Sequence, residues 1–391
     1  MQSLPPSLKP NPSCPLGLVL SGGGARGAFQ VGVWEVLYTH PKGLQTLPDV
    51  ISGTSAGALN GAFIAAGLSP EEMLEFWLDI SRNPPVVGND AFFQSLLQTL
   101  QKIAFSEPLR KVERRKRELR TVFRMLKKHA WYRGGGILSM FAEFLLTARF
   151  DNISQVLKGI KTTYLFNTDP VRERLREAIG GDYIRKTDVK LAINTVDVSS
   201  GKVIRLVNAA PTRLHVSSSL NYVEVPRIDI DMLLASASIP LLFKPVTVKD
   251  MTLWDGGVLV NTPLAPAVAL GAERIIPVLV TLLNYPDSAE GKSLPHFGSA
   301  VERLANTFLE NAYNVDRKLL LERNELAQHV NELTVVELFR AIRPQSADLF
   351  DAGSYLYFEP DAIQDMYEAG KQAALRWLAD GPHLDRRDIE H

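Results

Sequence analysis

A serine near the start of the chain lies in a sequence context suited to acyl transfer. Residues 53–57 are Gly-Thr-Ser-Ala-Gly and fit G-x-S-x-G, in which Gly53 and Gly57 allow a sharp strand-to-helix turn. Such a turn lifts the hydroxyl of Ser55 out of the sheet, and the following helix directs its positive dipole at that serine. Ser55 is therefore a candidate nucleophile, and the N–H of Ala56 is a candidate donor to an oxyanion. A tight packing turn is the alternative interpretation.

A run of glycines follows the first predicted strand. Residues 22–27 are Gly-Gly-Gly-Ala-Arg-Gly and satisfy G-x-G-x-x-G, the pattern of a dinucleotide-binding turn. That interpretation requires an acidic residue at the end of the second strand, whereas Asp49 begins that strand. No lysine of the Walker type follows, so a P-loop is not favoured. The other interpretation is an oxyanion hole, because consecutive glycines leave backbone N–H groups able to approach a developing negative charge.

A serine nucleophile needs a base, which is usually a histidine held by a carboxylate. The seven histidines of this chain fall on predicted helices, loops or the tail, and no glycine-shaped turn surrounds any of them. Asp255 instead ends a predicted strand and is followed by Gly256, Gly257 and the triplet Asn-Thr-Pro at 261–263. This composition is typical of a functional loop. A turn or helix-cap role would explain a lone aspartate equally well.

Alternating strands and helices are predicted to position these turns. Residues 16–82 predict strand, turn, helix, strand, turn, helix, with strands at Leu16 to Leu20 and Asp49 to Ser52. A third helix is predicted to begin after Ser69, with Pro70 in its first turn and Glu72 three residues after the cap. The alternation predicts an α/β fold with a mostly parallel central sheet covered by helices.

Further strands and helices are predicted in the second half of the chain. The strand-like segments span residues 189–198, 203–207, 252–254, 274–280 and 335–342. The first two are separated by a hairpin-type turn. Two helices are predicted, a long one over about 296–333 and a final one over about 361–378.

Taken together, the three glycine-bounded motifs resemble the patatin-like phospholipase family. The motifs that carry the resemblance are residues 22–27, 53–57 and 255–257, with support from Ala-Ser-Ala-Ser-Ile-Pro at 235–240. The resemblance covers about residues 16–82 and 185–380. It implies a three-layer α/β/α patatin-like fold.

The resemblance also implies a lipid acyl hydrolase that cleaves carboxylic ester bonds through an acyl-serine intermediate, as a phospholipase A or a lysophospholipase does. Ser55 would be the nucleophile and Asp255 the base of a Ser-Asp dyad, with no metal and no cofactor. Gly23 and Gly24 would donate N–H groups to the oxyanion, and Arg26 would support that loop or bind a substrate phosphate. The alternatives are a soluble esterase with the same dyad and a non-catalytic lipid-binding or regulatory protein. The supporting motif residues are Gly22, Gly27, Gly53, Gly57, Gly256 and Gly257.

Composition excludes several classes of protein. The 391 residues are 46% hydrophobic and 22% charged, as in ordinary globular proteins. Forty-three basic residues balance 43 acidic ones, which argues against a dedicated nucleic-acid binder. The single cysteine, Cys14, excludes an intrachain disulfide framework and a cysteine-rich metal site.

The domain organisation is predicted from changes in composition. Residues 1–15 are rich in proline and predict a flexible N-terminal arm, residues 16–380 the hydrolase domain, and residues 381–391 a tail. The uncharged stretch from Val50 to Pro70 contains mostly small residues and predicts a buried segment rather than a membrane span. A cytoplasmic protein, peripheral on a membrane if it binds one, is expected.

Residues 83–165 predict a helical insertion with a strongly basic segment. From Arg110 to Arg133 there are eleven Lys or Arg residues and two glutamates, so the segment has a net charge of +9. Apolar residues at helical spacing, among them Leu119, Val122 and Phe123, accompany this charge. A basic amphipathic helix fits an anionic membrane surface. A solvated helix packed on the domain is the alternative, and no nucleic acid is expected as a partner.

Overall fold

The computed structural model describes residues 8–83, 86–98, 160–213, 221–282, 297–345 and 349–385, with one- or two-residue gaps inside these ranges. Its strands are β1 Leu16–Leu20, β2 Val50–Thr54, β3 Val87–Gly88, β4 Tyr164–Asn167, β5 Lys190–Asp197, β6 Val203–Val207, β7 Tyr222–Glu224, β8 Leu241–Phe243, β9 Val246–Val248, β10 Met251–Asp255, β11 Arg274–Val278 and β12 Glu337–Leu338. Its helices are α1 Gly27–Thr39, α2 Ala56–Ala66, α3 Pro70–Arg82, α4 Asp169–Ile179, α5 Ile230–Ser236, α6 Leu264–Ala269, α7 Phe297–Ala327 and α8 Pro360–Asp380.

The main sheet has nine described strands and is mostly parallel. Its central path runs in the order β12-β11-β1-β2-β5-β10-β9, and the pairs from β12 through β5 are parallel. The strand β10 runs antiparallel to β5, and β6 and β7 extend the sheet beside β5. The carboxyl ends of β1, β2 and β11 therefore meet at one edge, where open α/β sheets bind their ligands.

Helices cover both faces of this sheet because its strands are apolar on both sides. Leu18 and Leu20 of β1 belong to one hydrophobic core, which includes buried residues of α1, α2, α3 and α8. Val19, between them, belongs to a second core formed with α6 and α7. Alternation along a strand directs successive side chains to opposite faces, so these two cores define an α/β/α arrangement of three layers. The predicted fold class is confirmed.

Most predicted elements have their expected boundaries to within two residues. The strand β1 spans the predicted residues, and Ser69 caps α3 through a complete capping box with Glu72. The strand β2 extends to Thr54, because β5 pairs with it through that residue. The last strand is much shorter than the predicted 335–342. The N–H groups of Phe339 and Ile342 both donate to β11, but these residues are three apart instead of two, so the regular ladder does not continue beyond Leu338.

The ends of the chain contact the domain where the structure describes them. In the segment predicted as a flexible arm, Leu8 is buried in the core, and Arg274 donates to the carbonyl oxygens of Lys9 and Cys14. In the predicted tail, Asp385 forms an ion pair with Arg317 of α7. These parts of the two termini are therefore packed against the sheet rather than extended away from it.

The predicted insertion is anchored by a small second sheet. The strand β3 pairs antiparallel with β4, and β4 pairs in parallel with β8. The two ends of the predicted insertion therefore lie side by side at β3 and β4. The basic segment from Arg110 to Arg133 lies outside the described residues. Among the helices in the described ranges, none is both long and apolar enough to cross a membrane.

Candidate active site

Ser55 lies at the sharp turn between β2 and α2. Its backbone has φ +54° and ψ −124°, a conformation that residues other than glycine adopt rarely and at a cost in free energy. The residue is 6% exposed. The two glycines of the motif make the turn possible: a Cβ on Gly53 would overlap the carbonyl oxygen of Gly57, and a Cβ on Gly57 would overlap that of Leu20. The strained backbone at Ser55 therefore serves to position its hydroxyl at the turn.

Asp255 ends β10 and faces Ser55. The residue is 4% exposed, and its carboxyl accepts the backbone N–H of Gly257 over 2.7 Å and interacts with the side chain of Ser55. Burial disfavours the ionised carboxylate and raises the pKa of Asp255 to about 7, although Gly257 and Ser55 both act in the opposite direction. An aspartate with this pKa can accept a proton near neutral pH, which an ordinary aspartate does poorly.

The glycine run after β1 borders the same site. A Cβ on Gly22 would lie 3.3 Å from the Cβ of Ser55, so this loop is adjacent to the nucleophile. Gly24 has φ +54°, and a Cβ there would overlap the carbonyl oxygen of Tyr355. Within the described part of the chain, the backbone N–H groups of Gly23, Gly24 and Ala56 donate no hydrogen bond. In the described ranges, these three N–H groups of the loop and turn around Ser55 therefore have no protein acceptor.

Arg26 holds this loop in place from behind. Its side chain is buried, and its Nε, Nη1 and Nη2 atoms donate to Ser354, Val280 and Phe350 over 2.8, 3.0 and 2.8 Å. The guanidinium also lies 3.7 Å from the ring centroid of Tyr355. All three nitrogen atoms are bound by protein groups. This arrangement favours the loop-supporting role of Arg26 over the binding of a substrate phosphate.

The loop after Asp255 connects the other two motifs. The N–H of Gly22 donates to the carbonyl oxygen of Asn261 over 3.0 Å, and the side-chain amide of Asn261 donates back to Gly22 over 3.4 Å. The hydroxyl of Thr54 donates to the carbonyl oxygen of Val260 over 2.9 Å. The three motifs, far apart in sequence, are therefore joined directly by hydrogen bonds. The sequence indicates a functional type of loop at Asn261 but does not predict these contacts.

Ser236, at the end of α5, positions the nucleophile turn and had no role in the sequence prediction. Its hydroxyl accepts the backbone N–H of Ser55 over 2.9 Å and donates to the carbonyl oxygen of Asn194 in β5 over 2.7 Å. This bond occupies the N–H of Ser55 itself, so that the next N–H, of Ala56, is left at the turn. Ser236 lies in the segment 235–240, whose resemblance to the family was the only signal that could have indicated it.

The sequence range that holds the three motifs also matches a known protein family. The model described as patatin-like phospholipase matches residues 18–268, more than half of the chain, and the matched range contains all three motifs. The protein belongs to the patatin-like phospholipase family. The resemblance inferred from the motifs is thereby confirmed, and membership in this patatin-like family indicates a lipid hydrolase.

Solved structures similar to this patatin-like protein are distant. VipD from Legionella pneumophila is 15% identical with a TM-score of 0.37, over 95% of this chain and 68% of VipD. The ExoU–SpcU complex from the type III secretion system of Pseudomonas aeruginosa gives 17% identity and a TM-score of 0.26, over 94% of this chain and 60% of the other. A second structure, of the type III effector protein ExoU, is 17% identical with a TM-score of 0.25, over 95% of this chain and 54% of ExoU. No curated protein matches the chain.

Proposed function

We propose that this protein is a lipid acyl hydrolase of the phospholipase A or lysophospholipase type, acting through a dyad of Ser55 and Asp255. The observation that carries the proposal is the buried carboxyl of Asp255, which interacts with the side chain of Ser55 at a strained turn and has a pKa raised to about 7. A carboxyl with a perturbed pKa beside a hydroxyl at a strained turn is characteristic of catalytic sites.

The geometry supports a two-step reaction. Ser55 Oγ attacks the carbonyl carbon of the ester while Asp255 accepts the hydroxyl proton. The N–H groups of Gly23, Gly24 and Ala56 stabilise the negative charge that develops on the carbonyl oxygen. The tetrahedral intermediate collapses, the leaving alkoxide takes the proton from Asp255, and an acyl-serine remains. Water then attacks the acyl group while Asp255 accepts its proton. The bond to Ser55 Oγ breaks, Ser55 takes this proton from Asp255, and the fatty acid is released.

Apolar residues beside the dyad support a lipid rather than a water-soluble ester as substrate. Val258 and Leu259, which follow Asp255 closely, are about half exposed. Leu241 is exposed and has φ +68°, a strained conformation for leucine, three residues after the Ser238 carbonyl that accepts the N–H of Asp255. Exposed apolar side chains on the segments that hold a catalytic site are suited to contact with acyl chains or a lipid surface.

The experiment that tests the proposal measures fatty acid released from phospholipid and lysophospholipid vesicles by the wild type and by Ser55→Ala. Release by the wild type alone is the expected result. Hydrolysis confined to short, water-soluble esters would favour the soluble esterase. Binding to vesicles without release of fatty acid from any ester would favour the non-catalytic lipid-binding protein.

The pKa of Asp255 gives a pH dependence of known sign. Only the ionised carboxylate can accept the Ser55 proton, so kcat/KM is expected to rise about tenfold per pH unit up to about pH 7 and then level off. The measurement is a pH–rate profile on a short soluble ester. A profile that is flat from about pH 5 to 8 would contradict the assignment of Asp255 as base.

Ser236 is expected to act as a positioning residue for Ser55. The Ser236→Ala substitution removes the acceptor of the Ser55 N–H, so kcat should fall about tenfold or more while KM changes little. Ser236→Thr keeps the hydroxyl and should restore part of the rate. The matched control is Ser238→Ala, because the Ser238 hydroxyl is equally buried but donates to Leu234. Equal losses in Ser236→Ala and Ser238→Ala would contradict this role.

The basic segment is proposed to bind anionic membranes. Replacing Arg114, Arg115, Lys116 and Arg117 with glutamine should weaken sedimentation with anionic liposomes, since each basic side chain near such a surface contributes about 1 kcal/mol. Added salt should weaken the wild type in the same way. Neutral liposomes are the control. If the quadruple variant sediments with anionic liposomes as the wild type does, the segment is a solvated helix or a protein-contact surface.

A further inference from the structure

The long helix α7 exposes a stripe of large apolar side chains to solvent. Its inner face, with Tyr313, Leu320 and Leu321, is buried against the domain. On its outer face and in the turn that follows it, six large apolar side chains are between 41% and 66% exposed. Single exposed apolar residues need no explanation, but a continuous stripe of them does. The six are Leu304, Phe308, Val315, Leu319, Leu326 and Val330.

The spacing of the stripe keeps it on one side of the helix. Leu304, Val315 and Leu326 are 11 residues apart, and so are Phe308, Leu319 and Val330. Eleven residues make slightly more than three complete turns, so the stripe runs nearly straight along the helix. It extends over 27 residues, from 304 to 330, a rise of about 39 Å. Hydrogen bonds from His329 and Val330 to the Leu326 carbonyl continue the turn beyond the end of α7.

The same spacing is symmetric from end to end. The intervals between successive apolar residues are 4, 7, 4, 7 and 4, so the stripe has the same pattern in both directions about residue 317. Two copies of the helix laid antiparallel would therefore place Leu304 opposite Val330, Phe308 opposite Leu326 and Val315 opposite Leu319. A surface that is complementary to itself in this way is what an isologous two-fold interface requires.

We propose that α7 is a self-association surface, which pairs antiparallel with α7 of a second copy of this chain about a two-fold axis near residue 317. The proposal is independent of the proposed hydrolase activity. It assigns an occupant to the stripe from the symmetry of its spacing, and a heterologous partner would need no such symmetry.

The charges beside the stripe favour a protein partner over a lipid surface. Lys318 lies along it together with Glu322 and Glu325, so the flanking charge is of mixed sign. A helix that lies on an anionic membrane instead has a polar face rich in lysine and arginine. The stripe is narrow compared with a stable interface, which uses about 20–30 residues on each side. The dimer is therefore expected to be reversible and to dissociate on dilution.

The first test measures the molar mass of the full chain by sedimentation as a function of concentration. The wild type is expected to change from monomer to dimer with concentration, and Leu319→Glu is expected to remain monomeric. Because Val315 faces Leu319 of the second copy, adding Val315→Lys to Leu319→Glu should restore the dimer through a new ion pair. Leu47→Glu, at an exposed leucine in a loop, is the matched control and should dimerise as the wild type does.

The second test determines the orientation of the two helices. In a Cys14→Ser background, Leu304→Cys and Val330→Cys are prepared as separate proteins and oxidised alone or mixed. Only the mixture should form a disulfide-linked dimer, because the two ends meet only between antiparallel copies. A wild type that is monomeric at all concentrations, or a Leu304→Cys protein that cross-links to itself instead, would overturn the proposal.

Discussion

Ser55→Ala and Asp255→Asn are each expected to lower ester hydrolysis by about 10⁴-fold or more, and the double variant is expected to be little worse than either. Residues that act as one unit lose their contribution when any one of them is removed, so their effects are not additive. The physical basis is the interaction between the two side chains in a buried site. The measurement is kcat and KM of all three variants on one ester. Substantial turnover by Asp255→Asn would show that another base serves Ser55.

Asp255→Asn should also make the protein more stable near neutral pH. A loss of activity together with this gain in stability means that the base is lost and the fold is intact. The pKa of Asp255 is about 7 in the folded chain, against 3.8 for the unperturbed group, so the folded state binds the extra proton between these values. Stability therefore falls as pH rises through this window, by an amount on the order of 4 kcal/mol. Asp255→Asn has no carboxyl to ionise, so its stability does not fall in this way as pH rises.

The check is the difference in unfolding free energy between Asp255→Asn and the wild type, measured from about pH 4 to pH 8. The advantage of the variant should grow as pH rises and level off above about pH 7. A difference that does not change with pH would mean that the Asp255 carboxyl is not destabilised by burial, and the site would lose its explanation for an aspartate base.

Gly23→Ala is expected to lower kcat by about 100- to 1,000-fold with a much smaller effect on KM, the cost of losing one oxyanion donor. The added Cβ would overlap the side chain of Val280, so the loop must move and its N–H groups no longer meet the oxyanion. That contact matters mainly in the transition state, which explains the effect on kcat. A change in KM alone, or tight binding of a dinucleotide by the wild type, would support the dinucleotide interpretation of this loop.

The obstacle at Gly23 is a side chain, and this permits a rescue. Val280→Ala combined with Gly23→Ala should recover much of the lost activity, because the smaller side chain leaves room for the new Cβ. Gly24→Ala offers the contrast: its Cβ would meet the backbone oxygen of Tyr355, and its φ of +54° disfavours any side chain. Truncating a neighbouring side chain should not rescue it. Failure of Val280→Ala to help Gly23→Ala would contradict the steric account.

Local signals were sufficient to predict the elements that present Ser55. The capping box at Ser69, the apolar run of β1 and the two glycines around Ser55 each act within a few residues, and the structure forms them as expected. The position of Asp255 at a strand end was likewise visible from its neighbours. That Ser55 and Asp255 meet followed only from the resemblance to the family, because their separation in the chain is large.

The supporting contacts could not be predicted because they join distant segments. Arg26 is bound by Val280, Phe350 and Ser354, and the turn at Ser55 is held by Ser236. No local pattern specifies such pairs. The shift in the pKa of Asp255 has the same origin, since it arises from complete burial by surrounding elements. The apolar spacing on α7 was readable in the sequence, but only the structure shows that this side of the helix faces solvent.

Labelling with a fluorophosphonate tests the central claim, an activated Ser55, without any assumption about the substrate. The wild type is expected to gain one phosphonyl group, located at Ser55 by peptide mass mapping, and Ser55→Ala is expected to gain none. Asp255→Asn should label much more slowly, and labelling of the wild type should slow below about pH 7 as Asp255 is protonated. An unlabelled wild type, or a label on a residue other than Ser55, would contradict the account.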